Sequence, residues 1–162
     1  MIKDMSPISQ PLLIISRDAL MDERANGAVF RHLASLTRRG WHLILTASEP
    51  DQWFPTRHSE DNLLTTQAQL QALIHEFGGG VDGVYYVPRS EFSQDRNREG
   101  ALSDILRRYG CEAGNATLFS TSEPFLRAAE RLGISTSAID ERRGGSRSLE
   151  ALLRALATEE AA

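Results

Sequence analysis

Lysine is nearly missing from this 162-residue chain: of its eighteen basic residues seventeen are arginine, and Lys3 stands alone. A mechanism that needs an ammonium group in the body of the fold is therefore excluded. Cysteine is as scarce. The lone Cys111 rules out an internal disulfide and a cysteine-built zinc cluster. Apolar runs stop at about five residues, against the roughly 20 that a membrane helix needs, so no membrane span is expected. The opening MIKDMSPISQP holds no apolar signal core, which points to a cytoplasmic location. A net charge of −4 gives no general reason to expect nucleic-acid binding.

What is present is an ordinary globular composition, 41% hydrophobic and 25% charged, in a length that suits one domain. No repeat, linker or break in composition divides it. A single domain over 1–162 is expected, with flexible ends at 1–10 and 158–162. Short apolar runs alternate with helical patterns. Leu12–Ile15 reads as a buried strand, and Val29, Phe30, Leu33 and Leu36 as the stripe of a helix closed by Gly40. Trp41–Thr46 is the second strand. After a polar loop, Thr66 and Gln69 have capping-box spacing ahead of Leu70, Leu73, Ile74 and Phe77. Val81–Pro88 is the third strand, followed by an irregular loop and a helix around Leu102 and Ile105. Ala116–Ser120 is the fourth, and Ser122 caps a helix with Pro124 in its first turn. Ile134–Ile139 is a weak fifth strand, and Ser148–Leu156 a closing helix. This alternation predicts an α/β three-layer sandwich: a parallel sheet of about five strands, helices on both faces and no large cap domain.

Ligands of such sheets bind beyond the carboxyl ends of the strands. The residues predicted there are Ser16, Arg17 and Asp18; Thr46, Ala47 and Ser48; Pro88 and Arg89; and Ser120, Thr121 and Ser122. This is a rim of hydroxyls and arginines with one acid, Asp18, and none of the four histidines falls on it. A magnesium site wants several oxygen ligands that include a carboxylate or two, so Asp18 alone supports one poorly. Thr46 and Ala47 are candidates for binding an oxyanion, as are Arg96 and Arg98 in the loop that also holds Arg89. Trp53 and Phe54, in DQWFP, are read as a contact surface for a protein partner, as a lid over the site, or as a loop packed on its own domain. Arg142, Arg143 and Arg147 beside Gly144-Gly145 read as a plain surface loop, and Cys111 as inert.

Element order and local phrases together resemble the haloacid dehalogenase (HAD) superfamily, in particular its small phosphatases for heptose bisphosphate and histidinol phosphate. That family ends its first strand in Asp-x-Asp-Gly-Thr, the first Asp being the nucleophile and the second the general acid/base. Here the place reads Ser16-Arg17-Asp18-Ala19-Leu20. The Thr or Ser that binds phosphate after the second strand is matched by Thr46. Gly78–Pro88, GGGVDGVYYVP, is similar to the Asp-Gly-(Ile/Val)-Tyr-Tyr-Cys-Pro segment of the heptose branch. Arg96 stands where the family has its catalytic lysine, with Gly100 matching the glycine that follows. The last motif, Gly-Asp-Ser-x-x-Asp, corresponds to Ser120–Phe125 and puts Thr121 at its acid.

The resemblance thus implies the fold and, at the same time, a site stripped of its carboxylates. The family's reaction is attack of an aspartate on phosphorus, with Mg2+ held by the nucleophile and the last acid. Ser16 and Thr121 are neutral hydroxyls at those two places. The expected function is a catalytically degenerate phosphatase homologue, kept as a ligand-binding or regulatory module that accepts a small phosphorylated molecule. No cofactor is expected, and Mg2+ only if activity is retained. One alternative is an active phosphatase on a small phosphorylated metabolite, using Asp18 or Glu123 as atypical acids. Another is a protein-interaction subunit contacting its partner through the Trp53-Phe54 loop.

Overall fold

The computed structural model describes residues 10–23, 26–48, 57–87, 94–140 and 148–161. Five parallel strands form one sheet: β1 Leu12–Ser16, β2 His42–Ser48, β3 Gly83–Val87, β4 Ala116–Ser120 and β5 Ser135–Ala138, in the order β3-β2-β1-β4-β5. Six helices accompany them: α1 Arg17–Met21, α2 Gly27–Arg38, α3 Arg57–Glu76, α4 Gln94–Arg108, α5 Glu123–Leu132 and α6 Leu149–Ala161.

The central strand is an unbroken apolar run because both of its faces are covered. Leu12, Leu13, Ile14 and Ile15 are each 0–1% exposed. Alternation along the strands then separates two cores. Leu13, Ile15, Leu43, Leu45 and Phe119 pack with Phe30 and Leu33 of α2, Leu70 and Ile74 of α3, and Leu149 and Leu153 of α6. Leu12, Ile14, Ile44 and Leu118 face the other way, onto Leu102 and Ile105 of α4 and Phe125, Ala128 and Ala129 of α5. The expected three-layer α/β sandwich without a large cap is therefore present among the described residues. Among the described residues, no helix is long and apolar enough to cross a membrane.

Local signals explain most boundaries. The Asn26 side chain accepts from Ala28 N–H at 3.2 Å and opens α2. Ser122 Oγ accepts from Phe125 N–H at 3.4 Å and opens α5, which Gly133 closes at φ +89°. Asp82 ties the entry of β3 to β2 twice: its N–H donates to Leu43 O, and its Oδ2 accepts from Leu43 N–H, both at 2.8 Å.

Four boundaries depart from the expectation. α3 begins at Arg57, so Thr66 lies inside a helix and does not cap one. α4 begins at Gln94, taking in residues expected to form an irregular loop. α6 runs on to Ala161, past the expected end at Leu156. The added turns are mostly polar, and periodicity does not reveal a helix in residues without an apolar stripe. The five-residue α1, directly after β1, was not expected at all.

Candidate functional site

The sheet register brings the predicted rim together. Ser16 pairs with Thr46 across β1 and β2. Ile15 pairs with Phe119, so β4 delivers Ser120 to the same end. The central strand thus has a hydroxyl residue at its own end and one on each side.

These hydroxyls differ in their surroundings. Ser16 is partly exposed at the junction of β1 and α1, and its side chain makes no capping bond. Thr46 is 7% exposed. Ser120, 5% exposed, accepts from Ser122 N–H at 3.0 Å and so braces the turn into α5. Thr121 is exposed in that turn. Ala47 is buried within β2, which continues to Ser48 and does not end at Thr46 as expected. Its backbone belongs to the ladder, opposite Tyr86.

Arg17 follows β1 as expected and is buried, 5% exposed, with Nη1 donating to Gln67 Oε1 of α3 at 2.8 Å. Alternation is the reason: positions 13, 15 and 17 share a face, and Leu13 and Ile15 belong to the core that α2, α3 and α6 cover. That spacing was readable in the sequence. The neighbouring Asp18 points outward, its side chain 72% exposed, with Oδ1 3.8 Å from Arg17 Nε.

The remaining candidates are more scattered. Arg96 and Arg98 lie near the start of α4, not in a loop. Glu123 is the first residue of α5; its side chain is 85% exposed, 4.0 Å from Arg127. It lines a groove of about 420 Å³ along β5 with Glu130, Thr136 and Leu152. Cys111 is buried and donates to Glu112 O at 3.3 Å. Trp53, Phe54, Pro88, Arg89, Arg142, Arg143 and Arg147 lie outside the described residues.

Sequence reading missed the network behind Thr46. Tyr85, its partner in β3, donates from its hydroxyl to Asp104 Oδ2 at 2.7 Å. Arg107 and Arg108 donate to the same carboxylate at 3.0 and 3.1 Å. The bonds from Tyr85 and Arg107 hold Asp104 below the usual carboxylate range. Burial, with the Asp104 bond second, pushes the Tyr85 hydroxyl up. This network ties β3 to α4.

A magnesium ion wants carboxylate oxygens, and the strand-end residues Ser16, Thr46 and Ser120 offer hydroxyls. Among the described residues, no group of three or more His, Cys, Asp or Glu side chains could hold a metal.

No family model and no curated protein matches the chain. Solved structures do. The D,D-heptose 1,7-bisphosphate phosphatase of B. bronchiseptica, complexed with magnesium and phosphate, is 21% identical, with a TM-score of 0.70 over 92% of this chain and 99% of that one. A protein of Mesorhizobium loti, provisionally designated a HAD-like phosphatase, is 16% identical (TM-score 0.62, 94% and 88%). The D,D-heptose 1,7-bisphosphate phosphatase of Burkholderia thailandensis is 14% identical (TM-score 0.53, 91% and 98%). At these identities the likeness shows a shared fold, that of HAD phosphatases.

Proposed function

We propose that this chain is a catalytically degenerate homologue of the HAD phosphatases: a ligand-binding or regulatory module that accepts a small phosphorylated molecule without aspartyl-phosphate chemistry. The observation that carries the reading is the end of β1. A phosphatase of this type needs a carboxylate nucleophile there, and Ser16 offers a neutral hydroxyl. Of the four histidines, His32 is on α2, His42 begins β2, and His58 and His75 are on α3, so no strand ends in one that could act as its base.

Asp18 is left without a step to assist, since a general acid needs a nucleophile or a leaving group to serve. Glu123 is drawn toward Arg127 and the groove along β5. What remains, Ser16 and Thr46 side by side with Ser120 beyond, is a set of hydrogen-bond donors suited to an oxyanion. Arg96 and Arg98 supply positive charge from α4 in this reading. The function thus follows from the site, while the fold only places it.

The test is a magnesium-supplemented phosphatase assay on the purified chain with sugar phosphates and histidinol phosphate, run beside Asp18→Ala. The expected outcome is no turnover above the buffer rate for either protein. Turnover that Asp18→Ala abolishes would overturn the reading in favour of an active enzyme with atypical acids.

A further inference from the structure

Asn26 caps α2, and each of its polar groups is engaged. Its backbone N–H donates to Glu23 O at 2.8 Å, and its carbonyl accepts from Val29 N–H at 3.2 Å. Its Oδ1 accepts from Ala28 N–H at 3.2 Å, and Nδ2 donates to Glu23 Oε2 at 3.3 Å. The next residue is Gly27, and this is the one Asn-Gly pair in the sequence. Such a pair is chemically labile, because glycine has no side chain to keep its backbone nitrogen away from the asparagine amide carbon. As the first residue of α2, Gly27 also has an N–H without an acceptor in the helix.

The reacting atoms are neighbours in the chain, and both residues are partly exposed to water. The Gly27 nitrogen, having lost its proton to hydroxide, attacks Asn26 Cγ. The N–Cγ bond forms, the Cγ–Nδ2 bond breaks, and Nδ2 leaves as ammonia with a proton from water. Water then opens the cyclic imide at either carbonyl, leaving an aspartate or an isoaspartate at position 26. The sum is one water consumed for one ammonia released, with no change of oxidation state.

The fold opposes this reaction. With ψ at 91° and Oδ1 pinned to Ala28 N–H, the amide is held in the cap. Attack needs Cγ to swing onto the Gly27 nitrogen, away from its partners at Ala28 and Glu23. Val29 and Phe30, both 0% exposed, anchor the turn that would have to loosen.

We propose that Asn26 is a spontaneous deamidation site gated by its own cap. The reaction runs while the start of α2 is open, and the isoaspartyl product, with an extra carbon in the backbone, cannot cap the helix as before. The modification is therefore a covalent record of that opening. It does not depend on the proposed function.

The experiment incubates the full chain in mildly alkaline buffer, native and in guanidinium chloride, and maps its four asparagines by peptide mass spectrometry with isoaspartate resolved. In denaturant, position 26 should react ahead of Asn62, Asn97 and Asn115. In the native chain it should react at least about tenfold more slowly than in denaturant. Glu23→Ala should speed the native reaction about threefold, through loss of one hydrogen bond, and leave the denatured rate unchanged. Gly27→Ala should suppress the reaction in both conditions. A Cβ there would lie 3.7 Å from Phe77 Cζ, an ordinary contact that the fold accommodates. Equal native and denatured rates, or a Glu23→Ala chain that reacts no faster when native, overturn the gate. Modification that persists after Gly27→Ala, or that lags behind the other asparagines in denaturant, overturns the site.

Discussion

Gly79 occupies a point where two backbones pass too close for any side chain. A Cβ built there would lie 2.6 Å from the Cα of Ala34 and 2.7 Å from Thr37 Oγ1, both on α2. The middle glycine of the triple is thus explained by packing at the amino ends of the strands, away from the candidate site. Gly79→Ala should lower stability by about 1–3 kcal/mol, because rigid backbone has to move. Urea unfolding would show a lower midpoint with an unchanged slope; an unchanged midpoint would contradict the contact. At this scale the sequence was partly legible. Ser16, Thr46 and Ser120 were placed by the rule that strands deliver their last residues to one end. The inward turn of Arg17 required following the alternation one residue past the strand. Its partner Gln67 lies fifty positions away and leaves no local sign.

Elements with an apolar stripe were found, and polar extensions were not. α2 and α5 carry capping side chains and buried faces, so their limits follow from the residues. The first turns of α3 and α4 have neither signal. The contact between α2 and α6 yields a prediction about pH. Burial chiefly, with Arg154 and Arg31 adding to it, holds His32 below its ordinary value, while Glu150 opposes. The unfolded chain therefore takes up this proton near pH 6.5, before the folded chain does. Stability from this group is complete above that pH and is lost as pH falls through the lowered folded-state value. His32→Gln should flatten the decline seen by urea unfolding between about pH 7 and pH 5. A variant as steep as wild type would place the acid sensitivity elsewhere.

The whole molecule is one sheet insulated on both sides, which was legible because five apolar runs alternated with helical patterns. Its two cores share every residue-to-residue boundary of β1, whose side chains alternate between them. Neither core can be exposed without freeing one face of that strand. The layers should therefore unfold together. Trp41, 7% exposed, reports on the first core. With Trp53→Phe so that it reports alone, its fluorescence transition in urea should coincide with loss of helical circular dichroism. Separate midpoints would mean that the layers come apart independently.

The sheet also has outer margins, and β5 is one of them. It is four residues long and reads Ser135-Thr136-Ser137-Ala138, with Thr136 Oγ1 donating to Glu130 Oε1 at 3.0 Å. A strand so short and so rich in hydroxyls is a poor template for recruiting another chain, and amyloid-like growth needs longer apolar segments. In a crowded cell, the weakest strand of this fold by hydrophobicity thereby blunts recruitment of another chain at its own margin.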